Sequence, residues 1–169
     1  MKTLIIGLGN PILGDDGVGW VVADKVQAVL SDPQSIIPDS VPFGDPQSIE
    51  VDCASLGGLS LMERLTGAER VILIDAIFTG TQPVGTVHRF LLDELPDLSA
   101  GHSASAHDTS LRNALHVGRD MQVPLPDDEN VTIVTIEAEA VYDFSQELSP
   151  AVAAAVPLAL QQVLDLLKS

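Results

Sequence analysis

Cysteine is almost missing from these 169 residues: Cys53 stands alone, so the chain can form no internal disulfide and no paired-cysteine metal knuckle. A reducing cytosol is the compartment that suits such a composition. Basic residues are scarce too, with eight Lys and Arg against 24 Asp and Glu, a formal charge of −16. That charge repels the phosphate backbone that nucleic-acid binders neutralise, and anionic membrane surfaces with it. No apolar run approaches the ~20 residues of a membrane span, and the apolar residues after Met1-Lys2 are too few for a signal-peptide core. A cytoplasmic protein is expected, with neither nucleic acid nor membrane as partner. Few cues to assembly are present, and a monomer is the expectation.

Several catalytic patterns are also absent. There is no Gly-x-Ser-x-Gly elbow, no His-Glu-x-x-His helix and no phosphate-binding Gly-x-x-x-x-Gly-Lys loop. The dinucleotide fingerprint fails as well: Ile12 stands where Gly7-Leu8-Gly9 would need its third glycine, and the next strand-end acid, Asp52, comes about forty residues on instead of about twenty.

What is present is a hydrophobic content of 46% in a chain of single-domain length, enough to bury a core, so residues 1–169 are read as one domain. Residues 3 to 8 and 70 to 76 are apolar runs without alternation, the pattern of strands buried on both faces. Further strands are expected at about 48 to 54, 85 to 92 and 131 to 136. Helical spacing of apolar residues predicts helices at about 17 to 30, 59 to 65 and 107 to 119. Ser149-Pro150 predicts the start of a last helix, with Ser149 as cap and Pro157 as a kink. Residues 32 to 47 hold four prolines and read as a surface connection. Strands alternating with helices imply a three-layer α/β/α domain around a mainly parallel sheet of about five strands. Ligands of such sheets sit beyond the carboxyl ends of the strands.

The richest stretch is Gly7-Leu8-Gly9-Asn10-Pro11-Ile12-Leu13-Gly14-Asp15-Asp16-Gly17-Val18-Gly19, a glycine-rich strand-to-helix turn that carries two carboxylates. Asp15 is expected to cap the following helix, which leaves Asp16 for a metal or a proton. Asp75 closes the Val-Ile-Leu-Ile run, where an ionised carboxylate is costly to bury without a partner. His107 is the histidine best placed to join them, because it opens a helix after a loop of small residues. Two carboxylates and an imidazole suit Ni, Zn, Fe or Mn, and leave coordination positions for water or substrate. The plain structural alternatives are a helix cap with a solvated neighbour, and an ordinary helix-start histidine. Cys53 reads as a small hydrophobe.

Taken together, Gly7-x-Gly9-Asn10 with Asp15-Asp16-Gly17-x-Gly19, Asp75-Ala76 and Ser105-Ala106-His107 resemble the maturation endopeptidases of nickel-iron hydrogenases. The order and spacing match over about the whole chain. The resemblance implies removal of a C-terminal extension from the hydrogenase large-subunit precursor after nickel insertion, by an aspartic-type or metal-assisted peptidase. It makes Asp16, Asp75 and His107 the metal-contacting trio, with Asp16 and Asp75 the candidate catalytic carboxylates. It also implies that the nickel arrives with the substrate, while Zn or Cd can occupy the site in vitro. The family often has glutamate where Asp16 stands. Cys53, Gly57 and Gly58 fall in a glycine-containing segment that, by the resemblance, helps to seat the substrate tail.

Two other readings compete. A nickel-sensing or chaperone module that binds the large subunit without cutting it would use the same three ligands. The opening Leu4-Ile5-Ile6-Gly7-Leu8-Gly9-Asn10-Pro11 also resembles the start of bacterial peptidyl-tRNA hydrolases, but Asp15-Asp16-Gly17 stands where that family needs a histidine-bearing segment. The charge argues against a tRNA substrate as well.

Overall fold

The computed structural model describes residues 1–32, 48–94, 106–139 and 144–168, with the backbone alone at 106–110. Most of the proline-rich connection, the stretch after residue 94 that holds His102, and the His107 side chain lie outside the described residues.

Five strands form one sheet: β1 (Thr3–Leu8), β2 (Ile49–Ala54), β3 (Arg70–Ile77), β4 (Val87–Leu91) and β5 (Val131–Glu137). Their order is β2-β1-β3-β5-β4; only β4, at one edge, runs antiparallel to its neighbour. The described helices are α1 (Val18–Ser31), α2 (Gly58–Leu65), α3 (Ala106–Asp120) and α4 (Pro150–Lys168).

The side-chain period of two sorts each strand onto two faces. On one, Ile5, Ile72, Ile74, Val134 and Ile136 pack with Val22 and Val26 of α1 and Val152, Val156 and Val163 of α4. On the other, Leu4, Ile6, Leu73 and Ile133 meet Leu61 and Leu65 of α2 and Leu111 and Leu115 of α3. The three layers follow because both faces of these strands are apolar and each needs a cover.

α4 is long and apolar enough, at 19 residues, to cross a membrane by length and composition, yet its Val stripe covers the sheet. Leu160 and Leu167 of this helix are half-buried, while Ala155, Ala159 and Leu164 are buried. The helix continues past Pro157.

β1 and α1 approach with no side chain between them. A Cβ on Gly7 would lie 2.3 Å from the Gly19 carbonyl oxygen, and one on Gly19 would lie 2.3 Å from that of Leu8. This contact holds the turn between them tight against the sheet.

Candidate active site

The loop after β1 folds back on itself. Gly9 has φ +122, and a Cβ there would lie 1.8 Å from the Asp16 carbonyl oxygen, so only glycine fits. The N–H of Asn10 donates to Asp16 Oδ2 at 2.8 Å, and the Asn10 carboxamide oxygen accepts the N–H of Ile12 at 3.2 Å. Asp16 is thereby turned toward the loop, half-buried, in a 3-10 turn (Gly14–Gly17) that packs against β3.

Asp15 corrects an expectation. Among the described residues no side chain caps the 3-10 turn or α1. The Asp15 carboxylate, 1% exposed, instead reaches the amino end of α4, where Oδ1 accepts the N–H of Ser149 at 2.6 Å and Oδ2 its hydroxyl at 2.8 Å. Thus the Ser149 hydroxyl, expected to cap its own helix, donates to a carboxylate 134 residues away. The amino end of a helix supplies free N–H groups and partial positive charge, which a buried carboxylate needs. Paired backbone bonds bring the two segments together: Gly14 N–H to Ser145 O at 2.7 Å and Ser145 N–H to Ile12 O at 2.9 Å.

Replacing Asp15 with alanine strands both Ser149 donors, at a cost of about 2–3 kcal/mol. For a domain of this size, thermal unfolding is expected ~5–10 °C lower. Ser149→Ala keeps the backbone bond and is expected to cost less. Equal melting shifts for the two variants would refute this ordering.

Asp75 stands near the carboxyl end of the central strand β3, 3% exposed, with Oδ1 accepting the N–H of Ala76 at 2.8 Å. Two residues earlier Leu73 faces α2 and α3, so Asp75 faces that layer too. α3 ends at the opposite edge of the sheet, where Arg119 donates to Pro126 O and to Asp128 Oδ1 at 2.7 Å just before β5. Its first residues, His107 among them, therefore stand at the carboxyl edge on the face that Asp75 shares. Among the described residues no three Asp, Glu, His or Cys side chains gather as a metal cage, and the His107 side chain is not among those residues.

The loop after β2 is stitched to the loop after β1. Gly9 N–H donates to Ala54 O at 3.2 Å, the Trp20 indole N–H to the same oxygen at 3.3 Å, and the Ser55 hydroxyl to Gly9 O at 2.6 Å. Gly57 and Gly58, which open α2, are thereby held on the same edge as Asp16. Cys53 is one step back and faces the other layer, its Sγ 3.8 Å from Asp24 Oδ1 of α1. Burial, then the charges of Asp24 and Asp52, push its thiol up to about 11.

At neutral pH Cys53 is therefore a thiol and no nucleophile. Its alkylation rate by iodoacetamide, read by mass, is expected to climb about tenfold per pH unit from pH 7 to 10. A plateau by pH 9 would disprove this. Asp52, the acid beside it, is held by Arg64 Nε at 2.7 Å, and the same guanidinium keeps Glu50 below the ordinary carboxylate range.

Two residues here escaped the sequence reading. Glu137, the last residue of β5 and 1% exposed, accepts the N–H groups of Thr79 and Gly80 at 2.8 and 2.9 Å and the Thr79 hydroxyl at 2.8 Å. It fixes the loop that follows Asp75's strand. The signal was available, since Glu137 ends the Val-Thr-Ile-Val-Thr-Ile run as Asp75 ends its own. The second is Thr135, a buried residue of β5 in register with Asp75.

Among the described residues, no Lys or Arg falls in the loops that follow β1, β2, β3 and β5, whereas Asp15, Asp16, Glu139 and Glu147 do. The carboxyl edge thus carries a negative potential that draws cations.

Residues 44–166 match the family model described as hydrogenase maturation protease. The chain belongs to that family. It is 26% identical over 168 residues to the hydrogenase 2 maturation protease of Escherichia coli, covering 99% of this chain and 92% of that relative. Among solved structures it is similar to the hydrogenase maturating endopeptidase HybD from E. coli, with TM-score 0.72, 25% identity, and coverage of 99% and 93%. A hydrogenase 2 maturation peptidase from a Thaumarchaeota archaeon matches with TM-score 0.62 at 26% identity, over 99% of each chain.

Proposed function

We propose that this protease cleaves the C-terminal extension from the large-subunit precursor of a nickel-iron hydrogenase, and that it reads the nickel carried by the substrate through Asp16, Asp75 and His107. The observation that carries the reading is Asp75. A carboxylate buried at the carboxyl edge of the central strand, under the start of α3 and beside the turn that holds Asp16, is an expensive group to keep there without a task.

In this reading, the precursor's nickel brings the scissile peptide to the edge, and binding there supplies the orientation that a bimolecular reaction lacks. Asp75 takes a proton from water as the water oxygen bonds to the scissile carbonyl carbon. It returns that proton to the departing nitrogen as the C–N bond breaks. Asp16 keeps Oδ2 on the Asn10 N–H, and its other oxygen would be the one to meet the metal. The loop of Gly57 and Gly58 seats the tail.

The test is the intact mass of the precursor, nickel-loaded and nickel-free, after incubation with the protein. Loss of a C-terminal fragment from the loaded form alone is the expected result. Binding with unchanged mass in both forms would replace this reading with a non-catalytic nickel-sensing or chaperone role.

A further inference from the structure

The face of the sheet that carries Asp75 changes character abruptly. Leu73, Ile133 and Phe90, adjacent on β3, β5 and β4, form an apolar row packed under α2 and α3. Two residues further toward the carboxyl edge, the next row on the same face is Asp75, Thr135 and His88. His88 is half-buried, its ring stacked on Phe90 at 5.6 Å. Thr135 is 1% exposed, and its hydroxyl oxygen has no hydrogen-bond partner among the described residues.

A buried hydroxyl without a partner costs stability, and valine, of the same shape, would avoid that cost. The hydroxyl is therefore of use only when something else bonds to it. A water molecule would supply that partner: a buried water needs two to four polar neighbours, and the Asp75 carboxylate, the Thr135 hydroxyl and the His88 ring line one row of three adjacent strands. In-register side chains on neighbouring strands have Cβ atoms ~5 Å apart, the spacing that one water bridges when no direct bond forms.

We propose that Thr135 holds a water molecule against Asp75, and that this water is the one added across the scissile bond. One of its protons lies on the Asp75 carboxylate and the other on Thr135 Oγ1, so a lone pair remains for the carbonyl carbon. On attack the first proton passes to Asp75 and then to the departing nitrogen; the Thr135 hydroxyl keeps its own. The hydrolytic role of this water rests on the peptidase reading above, whereas the hydration site does not.

Wild type, Thr135→Val and Thr135→Ser separate the two. A high-resolution crystal structure of the wild type is expected to show water between Asp75 and Thr135, and that of Thr135→Val to lack it. With nickel-loaded precursor, Thr135→Val is expected to lose at least tenfold in kcat with KM within twofold, while melting at the wild-type temperature or above. Thr135→Ser is expected within threefold of the wild-type kcat.

Absence of the water from the wild-type structure overturns the proposal, even if the valine variant fails to fold. So does wild-type processing by Thr135→Val, or a serine variant as slow as the valine one. If the wild type itself leaves the precursor uncut, the peptidase reading falls and the hydrolytic role with it. The crystallographic water then decides the hydration site alone.

Discussion

Asp75→Asn is expected to slow processing of the nickel-loaded precursor by ~10²–10⁴-fold, the range lost with a general base. The change removes the negative charge and exchanges one carboxylate oxygen for an amide nitrogen, so the proton acceptor and the carboxylate offered to the nickel are lost together. Asparagine keeps an oxygen for the Ala76 N–H that Oδ1 accepts at 2.8 Å, so the end of β3 retains its local geometry. It also relieves the desolvation of a carboxylate that is 3% exposed. Melting is expected within a few degrees of the wild-type temperature, because asparagine keeps the shape of the side chain and one acceptor. Intact-mass kinetics beside a melting curve separate lost chemistry from lost structure. Cleavage at the wild-type rate would remove Asp75 from the reaction. A fall in both activity and melting temperature would make it a structural residue.

Gly19→Ala sets helix propensity against packing. Alanine is favoured over glycine inside a helix by ~0.8–1 kcal/mol, so propensity alone predicts a gain. The new Cβ, however, would lie 2.3 Å from the Leu8 carbonyl oxygen and 2.4 Å from that of Ile74, both backbone atoms of strands at the middle of the sheet. Neither can rotate aside; α1 must lift. A loss of more than ~4 kcal/mol is expected, with melting lowered by over ~10 °C or no soluble protein. Gly118→Ala is the control. Its Cβ would meet the Leu125 Cδ1 and Met62 Sδ atoms at 2.6 Å, the ends of flexible side chains that can turn away. Its cost is expected to stay below ~1.5 kcal/mol, offset in part by the same propensity gain. Similar losses in the two variants would show that backbone contact is not what demands glycine at position 19.

The same contact bears on the site. α1 starts directly after the turn that carries Asp15 and Asp16, so lifting the helix displaces both carboxylates. Asp15 would draw on its bonds to Ser149 and Asp16 on its bond to Asn10. Stability and the placement of the candidate site share one small-residue contact.

Local pattern alone determined much of this protein. The continuous apolar runs of β1, β3 and β5 announce strands covered on both faces, and three layers follow. The carboxylate that closes the Val-Ile-Leu-Ile run marks Asp75, because few residues are costlier to end a buried strand with. The glycines around Asp15-Asp16 mark a turn pressed against something, and the family is legible in those motifs. Tertiary structure decided which partner each polar group takes. Asp15 bonds to Ser149 and Glu137 to Thr79, 134 and 58 residues away. Cys53 faces Asp24 of α1, on the other side of the sheet from Asp75. The row of Asp75, Thr135 and His88 exists only because β5 lies between β3 and β4 in this register. Hydrophobic periodicity is a local property, since it reflects which side of one element meets the core. Hydrogen-bond partners and strand neighbours are set by chain segments that meet only when the whole core closes.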